Sequence, residues 1–220
     1  MAAPVPIRVV GLGAGGHATS LLDALRSSGR FDVVAIADDD PTRAGGELLG
    51  VPIVTAAELE RFRADGIAHA FVGVGEHPFG NEGPRRQAFD RLLALGFELP
   101  AVVHAAASVS PWAQLGRSVQ ILAGVVVNAG TSVGDNVILN SGSIVEHDCT
   151  IGAGVHVAPG ATLGGASELG VGAHVGIGAT VIQGLRIGAG AFVAAGAVVV
   201  ADVPDGVAVA GVPAKPRRSD

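Results

Sequence analysis

From Val109 to Val199 every sixth residue is aliphatic, sixteen times in succession and without a miss. The series opens Val109, Leu115, Ile121, Val127, Val133, Leu139, Val145 and keeps its phase to Val193 and Val199. The position four residues after each is small or aliphatic too, as in Ala113, Val119, Val125, Thr131, Val137, Ser143, Cys149 and Val155. Glycine, alanine, serine, asparagine and aspartate fill the gaps. Self-similarity at a fixed period marks a repeat architecture, and a period of six marks a parallel β-helix. Each short strand turns its aliphatic residue inward, and the next coil covers it.

Before Val109 the period is absent, and strands alternate with helices. The spacing predicts strands at Ile7–Val10, Phe31–Ala37, Pro52–Val54, Ala70–Val74 and Ala101–Val103. It predicts helices at 18–27, 56–64 and 85–95. That alternation is the mark of a parallel, Rossmann-like α/β sheet. The expected organisation is therefore a Rossmann-like domain over 1–104, an all-β parallel β-helix over 105–204 and a tail over 205–220.

Composition narrows the function. The chain is 49% hydrophobic but only 4% aromatic, with 34 glycines, which suits narrow coils closed by small residues. Its net charge is -6 and no basic stripe is visible, so nucleic acid is not an expected partner. No apolar run approaches the roughly 20 residues of a membrane span, and no basic segment precedes a signal core. The single cysteine, Cys149, forms no internal disulfide and falls on a repeat position. It reads as a packed thiol in a reducing compartment, and the expected location is the cytoplasm.

The first strand runs into Gly11-Leu-Gly13-Ala-Gly15-Gly16-His17, which opens a helix. Glycines let a backbone turn tightly and approach a phosphate, and the helix N-terminus offers free N–H groups to an anion. Asp38 and Asp39 end the second strand, where an acid commonly accepts a hydrogen bond from a ribose hydroxyl. Strand, loop, helix and acid in this order point to a bound nucleotide. NAD is not the expected one, because about a hundred residues make one mononucleotide-binding half rather than two.

Repeats such as Ile151-Gly-Ala-Gly-Val155-His and Ile187-Gly-Ala-Gly-Ala191-Phe resemble those of the hexapeptide-repeat acyltransferases. The resemblance implies a left-handed β-helix of triangular section and homotrimers binding acetyl-CoA between subunits. Gly13-Ala-Gly-Gly-His17-Ala18, Asp38-Asp39, the stretch from His104 to Pro111 and the closing Gly211-Val-Pro-Ala-Lys215 narrow it further. They resemble the bacterial N-acetyltransferases of nucleotide-linked 4-amino sugars and the related sialic acid O-acetyltransferases. That subgroup more often has proline where Ala105 stands.

Polar residues are scarce within the repeats, so each one is informative. In a coil of about 18 residues, side chains 18 apart stack at roughly 4.8 Å, like neighbouring strands. His147 then lies between Ala129 and Gly165, with open space beside it, and His156 stacks on His174, with Phe192 continuing the column. Histidine titrates near neutral pH and can take the proton an attacking amine sheds; an adjacent carboxylate fixes its tautomer. Glu146-His147-Asp148 supplies both residue types. Side chains alternate along a strand, so only a bend at a corner brings Asp148 to the ring.

By resemblance, His147 is the general base and Asp148 its orienting acid. Asn140 stands near the substrate, and His156, Gly165, His174 and Ala195 line the acetyl-CoA. Gly13, Gly15, Gly16, His17, Asp38 and Asp39 hold the nucleotide sugar. The expected activity is acetyl-CoA-dependent N-acetylation of a nucleotide-linked amino sugar, without an acyl-enzyme and without a metal. The alternatives are O-acetylation of a sialic acid or another sugar hydroxyl, a zinc hydro-lyase using His147, His156 and His174, and a non-catalytic nucleotide sensor.

Overall fold

The computed structural model describes residues 5–75 and 83–217. The chain divides into two compact units, the first ending at Ala105 and the second beginning at Ala106.

The first unit is a parallel sheet with helices. Its elements are β1 (Ile7–Leu12), α1 (Gly16–Ser27), β2 (Phe31–Asp38), β3 (Glu47–Leu48), β4 (Val51–Thr55), α2 (Leu59–Ala64), β5 (His69–Val72) and α3 (Gly83–Ala94). The sheet order is β3-β4-β2-β1-β5, with β3 antiparallel to β4 and the other neighbours parallel. β1 is an apolar run whose last four residues are buried. α1 carries Ala18, Leu21, Leu22 and Leu25 on one stripe, all fully buried. Each such leucine contributes about 1.5–3 kcal/mol by leaving water. The chain places β2 and β4 on one side of β1, then returns to set β5 on the other. That reversal leaves a crevice at the carboxyl ends of β1 and β5, the place where open α/β sheets take ligands. The two ends meet closely there: Gly13 has φ +99°, and a Cβ on it would stand 2.6 Å from Val74 Cγ2.

The second unit is a parallel β-helix of three faces. Two-residue strands repeat on each face, as in Val126–Val127 beside Ile144–Val145, Ser132–Val133 beside Thr150–Ile151, and Ile138–Leu139 beside His156–Val157. The period-six aliphatics are the second residue of each strand, and from Ile121 to Val199 all are buried. The series ends at Val199 because the last coil shortens. Phe192 pairs with Ala208 and Ile187 with Val203, two residues sooner than the preceding pairs. Residues beyond 204 continue the unit: Ala208–Ala210 extends one face and Lys215–Pro216 pairs antiparallel against it. The architecture is the expected one, a Rossmann-like α/β domain followed by a β-helix.

Each coil turns its corners through a left-handed residue, at every sixth position from Ser118 to Gly196. Glycine holds most of these places, as it alone adopts positive φ without cost. Ser118, Asn136, Asp148 and Ala166 are the exceptions.

The interior also holds a misplaced hydroxyl. Ser143 is fully buried beneath Val125 and above Ala161, and its Oγ meets no hydrogen-bond partner among the described residues. An unsatisfied buried polar group costs about 1–3 kcal/mol. Ser143→Ala is therefore expected to stabilise the chain by about 1 kcal/mol and raise Tm by about 2–4 °C in a thermal melt. An unchanged or lower Tm would mean that the hydroxyl is satisfied in solution.

Candidate active site

His147 and Asp148 occupy the corner that follows Ile144–Val145. Asp148 takes the left-handed place at φ +59°, a conformation aspartate tolerates better than most residues. The bend swings its carboxylate back onto the preceding ring, and Oδ2 lies 2.9 Å from His147 Nδ1. An ionised carboxylate only accepts, so Nδ1 carries the hydrogen and Nε2 keeps its lone pair. The ring lies along the coil over Gly165. A Cβ on Gly165 would stand 2.6 Å from Nε2 and 2.7 Å from Cε1. Open space beside His147 exists because the residue one coil on has no side chain.

Glu146 takes no part in that pair. Its Oε2 accepts from Asn128 Nδ2 at 2.8 Å, one coil earlier. Cys149 is buried behind the corner, with Sγ 3.4 Å from the Gly164 carbonyl. Burial pushes its thiol above the usual range, and the Glu146 and Asp148 carboxylates add to that.

A second polar group forms at another corner. Asn140 Nδ2 lies 3.3 Å from His156 Nε2, while Asn140 Oδ1 accepts the Ser141 N–H at 2.8 Å. The Ser141 donor fixes which way the amide points, so His156 Nε2 is the acceptor and its hydrogen sits on Nδ1. His156 meets His174 edge to face at 4.9 Å, and His174 stacks on Phe192 at 4.9 Å. The column expected from the 18-residue offset is present. Ala195 is exposed at the corner after Phe192–Val193. The chain thus brings His147, Asp148 and Gly165 together at one corner and Asn140, His156 and His174 together by the corner before it. The strand Ile144–Val145 separates the two groups. Among the described residues, no group of three or more His, Cys, Asp or Glu is arranged to hold a metal ion.

In the first unit, Gly13, Gly15, Gly16 and His17 lie at the crevice by the ends of β1 and β5. Gly15 is the extended residue before α1, and a Cβ on Gly15 or Gly16 would meet only open space. His17 packs over Gly75, on which a Cβ would stand 2.9 Å from the His17 Cβ. Asp38 is already engaged. Oδ2 accepts the Ala14 N–H at 2.6 Å, and Oδ1 accepts the Asp40 N–H at 2.9 Å. Each oxygen keeps a further lone pair for a sugar hydroxyl. Asp39 pairs with Arg91 Nη1 at 2.7 Å, and Arg43 Nη1 donates to the Ala14 carbonyl at 2.9 Å. The sequence did not single out Arg43 or Arg91; each sits far along the chain from the loop it braces. No helix among the described residues is long and apolar enough to cross a membrane.

Comparison with known proteins agrees with this geometry. A family model described as bacterial transferase hexapeptide (six repeats) matches residues 130–165, and one described as PglD N-terminal domain matches residues 8–92. The structure of PerB from Caulobacter crescentus, solved in complex with CoA and GDP-perosamine, is 40% identical, with a TM-score of 0.87 over 96% of this chain and 97% of that one. The acetyltransferase domain of PglB from Neisseria gonorrhoeae FA1090 is 38% identical, with a TM-score of 0.87 over 96% of this chain and 100% of that one. A curated relative, the redox-sensing transcriptional repressor Rex of Streptomyces coelicolor, is 36% identical over 92 residues, and the chain spans about a third (33%) of its length. The two matches that cover 96% of this chain, with a family model on each unit, decide the assignment: the chain belongs to the hexapeptide-repeat acyltransferases, in the subgroup of nucleotide-aminosugar N-acetyltransferases that carry a PglD-type N-terminal domain.

Proposed function

We propose that this chain transfers the acetyl group of acetyl-CoA to the amino group of a nucleotide-linked 4-amino-deoxy sugar, UDP-, GDP- or dTDP-activated, for surface glycan synthesis. His147 is the general base. The observation that carries this reading is the Asp148-oriented imidazole over Gly165, with Nε2 as its basic nitrogen. CoA and GDP-perosamine in the PerB structure support the donor and the acceptor class, as does acetyl coenzyme A in a structure of the PglB domain.

The reaction follows from the tautomer. As the amine nitrogen bonds to the acetyl carbonyl carbon, its proton becomes acidic and passes to His147 Nε2. The C–S bond breaks, and Nε2 returns the proton to the departing thiolate. Asp148 stabilises the imidazolium between these events and holds its plane. The glycine loop and Asp38 of the first unit hold the nucleotide. Asn140 contacts the sugar, and His156, Gly165, His174 and Ala195 line the donor. One chain keeps the His147 and His156 groups at different corners, which supports a homotrimer with active sites completed between subunits. The donor it uses and its single buried thiol support a cytoplasmic location.

The test is thiol release from acetyl-CoA against a panel of nucleotide-linked 4-amino sugars, with sialic acid alongside. The buried, high-pKa Cys149 keeps the protein's own thiol out of a disulfide-reagent readout. Release with one amino sugar is the expected result. Release with sialic acid alone would replace the reading by O-acetylation, and silence throughout would sink it.

A further inference from the structure

Corners of this β-helix are of two kinds. At some, the fourth residue of the turn returns its N–H to the carbonyl of the first, as from Ser143 to Asn140 and from Ala179 to Gly176, both at 3.0 Å; at others, 134–137 and 152–155 among them, that direct bond does not form. The corner that carries His147 is joined through a side chain of the coil before it. Thr131 is 1% exposed, and its hydroxyl donates to the Glu146 carbonyl at 3.0 Å and accepts the Cys149 N–H at 3.4 Å. Glu146 and Cys149 are the ends of the turn; His147 and Asp148 are its middle. The hydroxyl therefore bridges the two ends of the turn.

The same corner is backed by polar side chains in the next two coils. Below Thr131 lie Cys149 and Ser167, and Ser167 Oγ donates to the Gly164 carbonyl at 2.6 Å. A neighbouring interior column holds Val119, Val137 and Val155 at the corresponding places, all fully buried. Burying a hydroxyl costs free energy unless it is bonded, and valine fills the same volume without that demand. What valine cannot do is bridge two backbone groups. At 134–137 and 152–155, where valine stands at the fourth place, no direct bond joins the ends of the turn, whereas at 146–149 the Thr131 hydroxyl holds both ends and fixes how far the corner opens.

We propose that Thr131 is a positioning residue for His147: its hydroxyl fixes the opening of the 146–149 turn and through it the aim of the imidazole. This rests on the acetyl-transfer reading above. Thr131→Val keeps the shape and removes the bridge. The corner then either closes directly or leaves the Glu146 carbonyl and Cys149 N–H unbonded, and the ring shifts in both cases. Thr131→Ser keeps the hydroxyl.

The experiment compares the wild type with both variants by steady-state kinetics, thermal melting and the ¹⁵N spectrum of the histidine rings. In Thr131→Val, kcat is expected to fall about ten- to a hundredfold, as a misplacement on the order of 1 Å does, with both KM values held within about twofold. The His147 ring nitrogen shifts move as the Asp148 contact loosens. Thr131→Ser restores kcat and spectrum together. A Thr131→Val protein with a lowered Tm but wild-type kcat and ring spectrum would overturn the proposal, as would failure of Thr131→Ser to restore them. If the wild type acetylates nothing in the panel, the transfer reading fails, and the ring spectrum still decides the role of Thr131.

Discussion

Replacement of His147 by asparagine is expected to lower kcat about 10²–10⁴-fold, the usual contribution of a positioned general base. Both KM values should stay within a few-fold, because in the proposed mechanism the imidazole acts on a proton that becomes acidic only as the new bond forms. The fold should not suffer. The side chain is 63% exposed on a corner, and it pairs with a similarly exposed Asp148. Asparagine keeps polarity and part of the size but offers no basic nitrogen. Steady-state kinetics on acetyl-CoA and the amino sugar, with a thermal melt as control, check this. A variant with kcat within about tenfold of wild type would remove His147 from the chemistry. The proton would then pass to another base, and His156 would be the next residue to replace.

Much of this site is legible from residue spacing. A strict period of six fixes which side chains face inward, and the 18-residue offset places Gly165 beneath His147 and His174 beneath His156. Both stackings follow from arithmetic on the sequence, and both are present. The same arithmetic places Asn128 one coil above Glu146 and Thr131 one coil above Cys149. Those pairs were open to the same reading but not singled out, since an asparagine and a threonine look like ordinary repeat fillers. What distinguishes Thr131 from the other buried hydroxyls is that it joins the Glu146 carbonyl to the Cys149 N–H, which spacing does not reveal.

Other features lay beyond spacing. β3 pairs with β4 through a two-residue turn in which Leu49 and Gly50 both have positive φ, at 49° and 74°. Hairpins of that kind are announced by Asn-Gly or Asp-Gly; leucine in the left-handed region gives no such signal. Asp38 was legible as the acid at the end of β2, but not as the acceptor for the Ala14 N–H, since that bond depends on how closely β1 and β2 run. The distribution of His147 and His156 over two corners, by contrast, follows from spacing, because residues nine apart in sequence fall half an 18-residue coil apart in space.

Gly165→Ala is expected to lower kcat about a hundredfold while leaving the fold intact. The backbone at 165 lies outside the positive-φ set, so alanine is conformationally allowed there. The added methyl would meet the His147 ring at 2.6–3.2 Å, where atoms in contact sit at about 3.5–4.0 Å. The ring, on an exposed side chain, can swing aside at little cost to stability. That swing displaces Nε2 by about 1 Å and draws Nδ1 off Asp148, and a misplacement of this size costs about 10² in rate. A double-mutant cycle identifies the cause. If Gly165 acts through the ring, Gly165→Ala has no further effect once His147 is alanine. If Gly165 instead clears space for the donor, the added methyl raises KM for acetyl-CoA whether or not the imidazole is present. Kinetics of the two single variants and the double variant separate these outcomes, and a kcat within about twofold of wild type in Gly165→Ala would show that the corner yields without re-aiming its base.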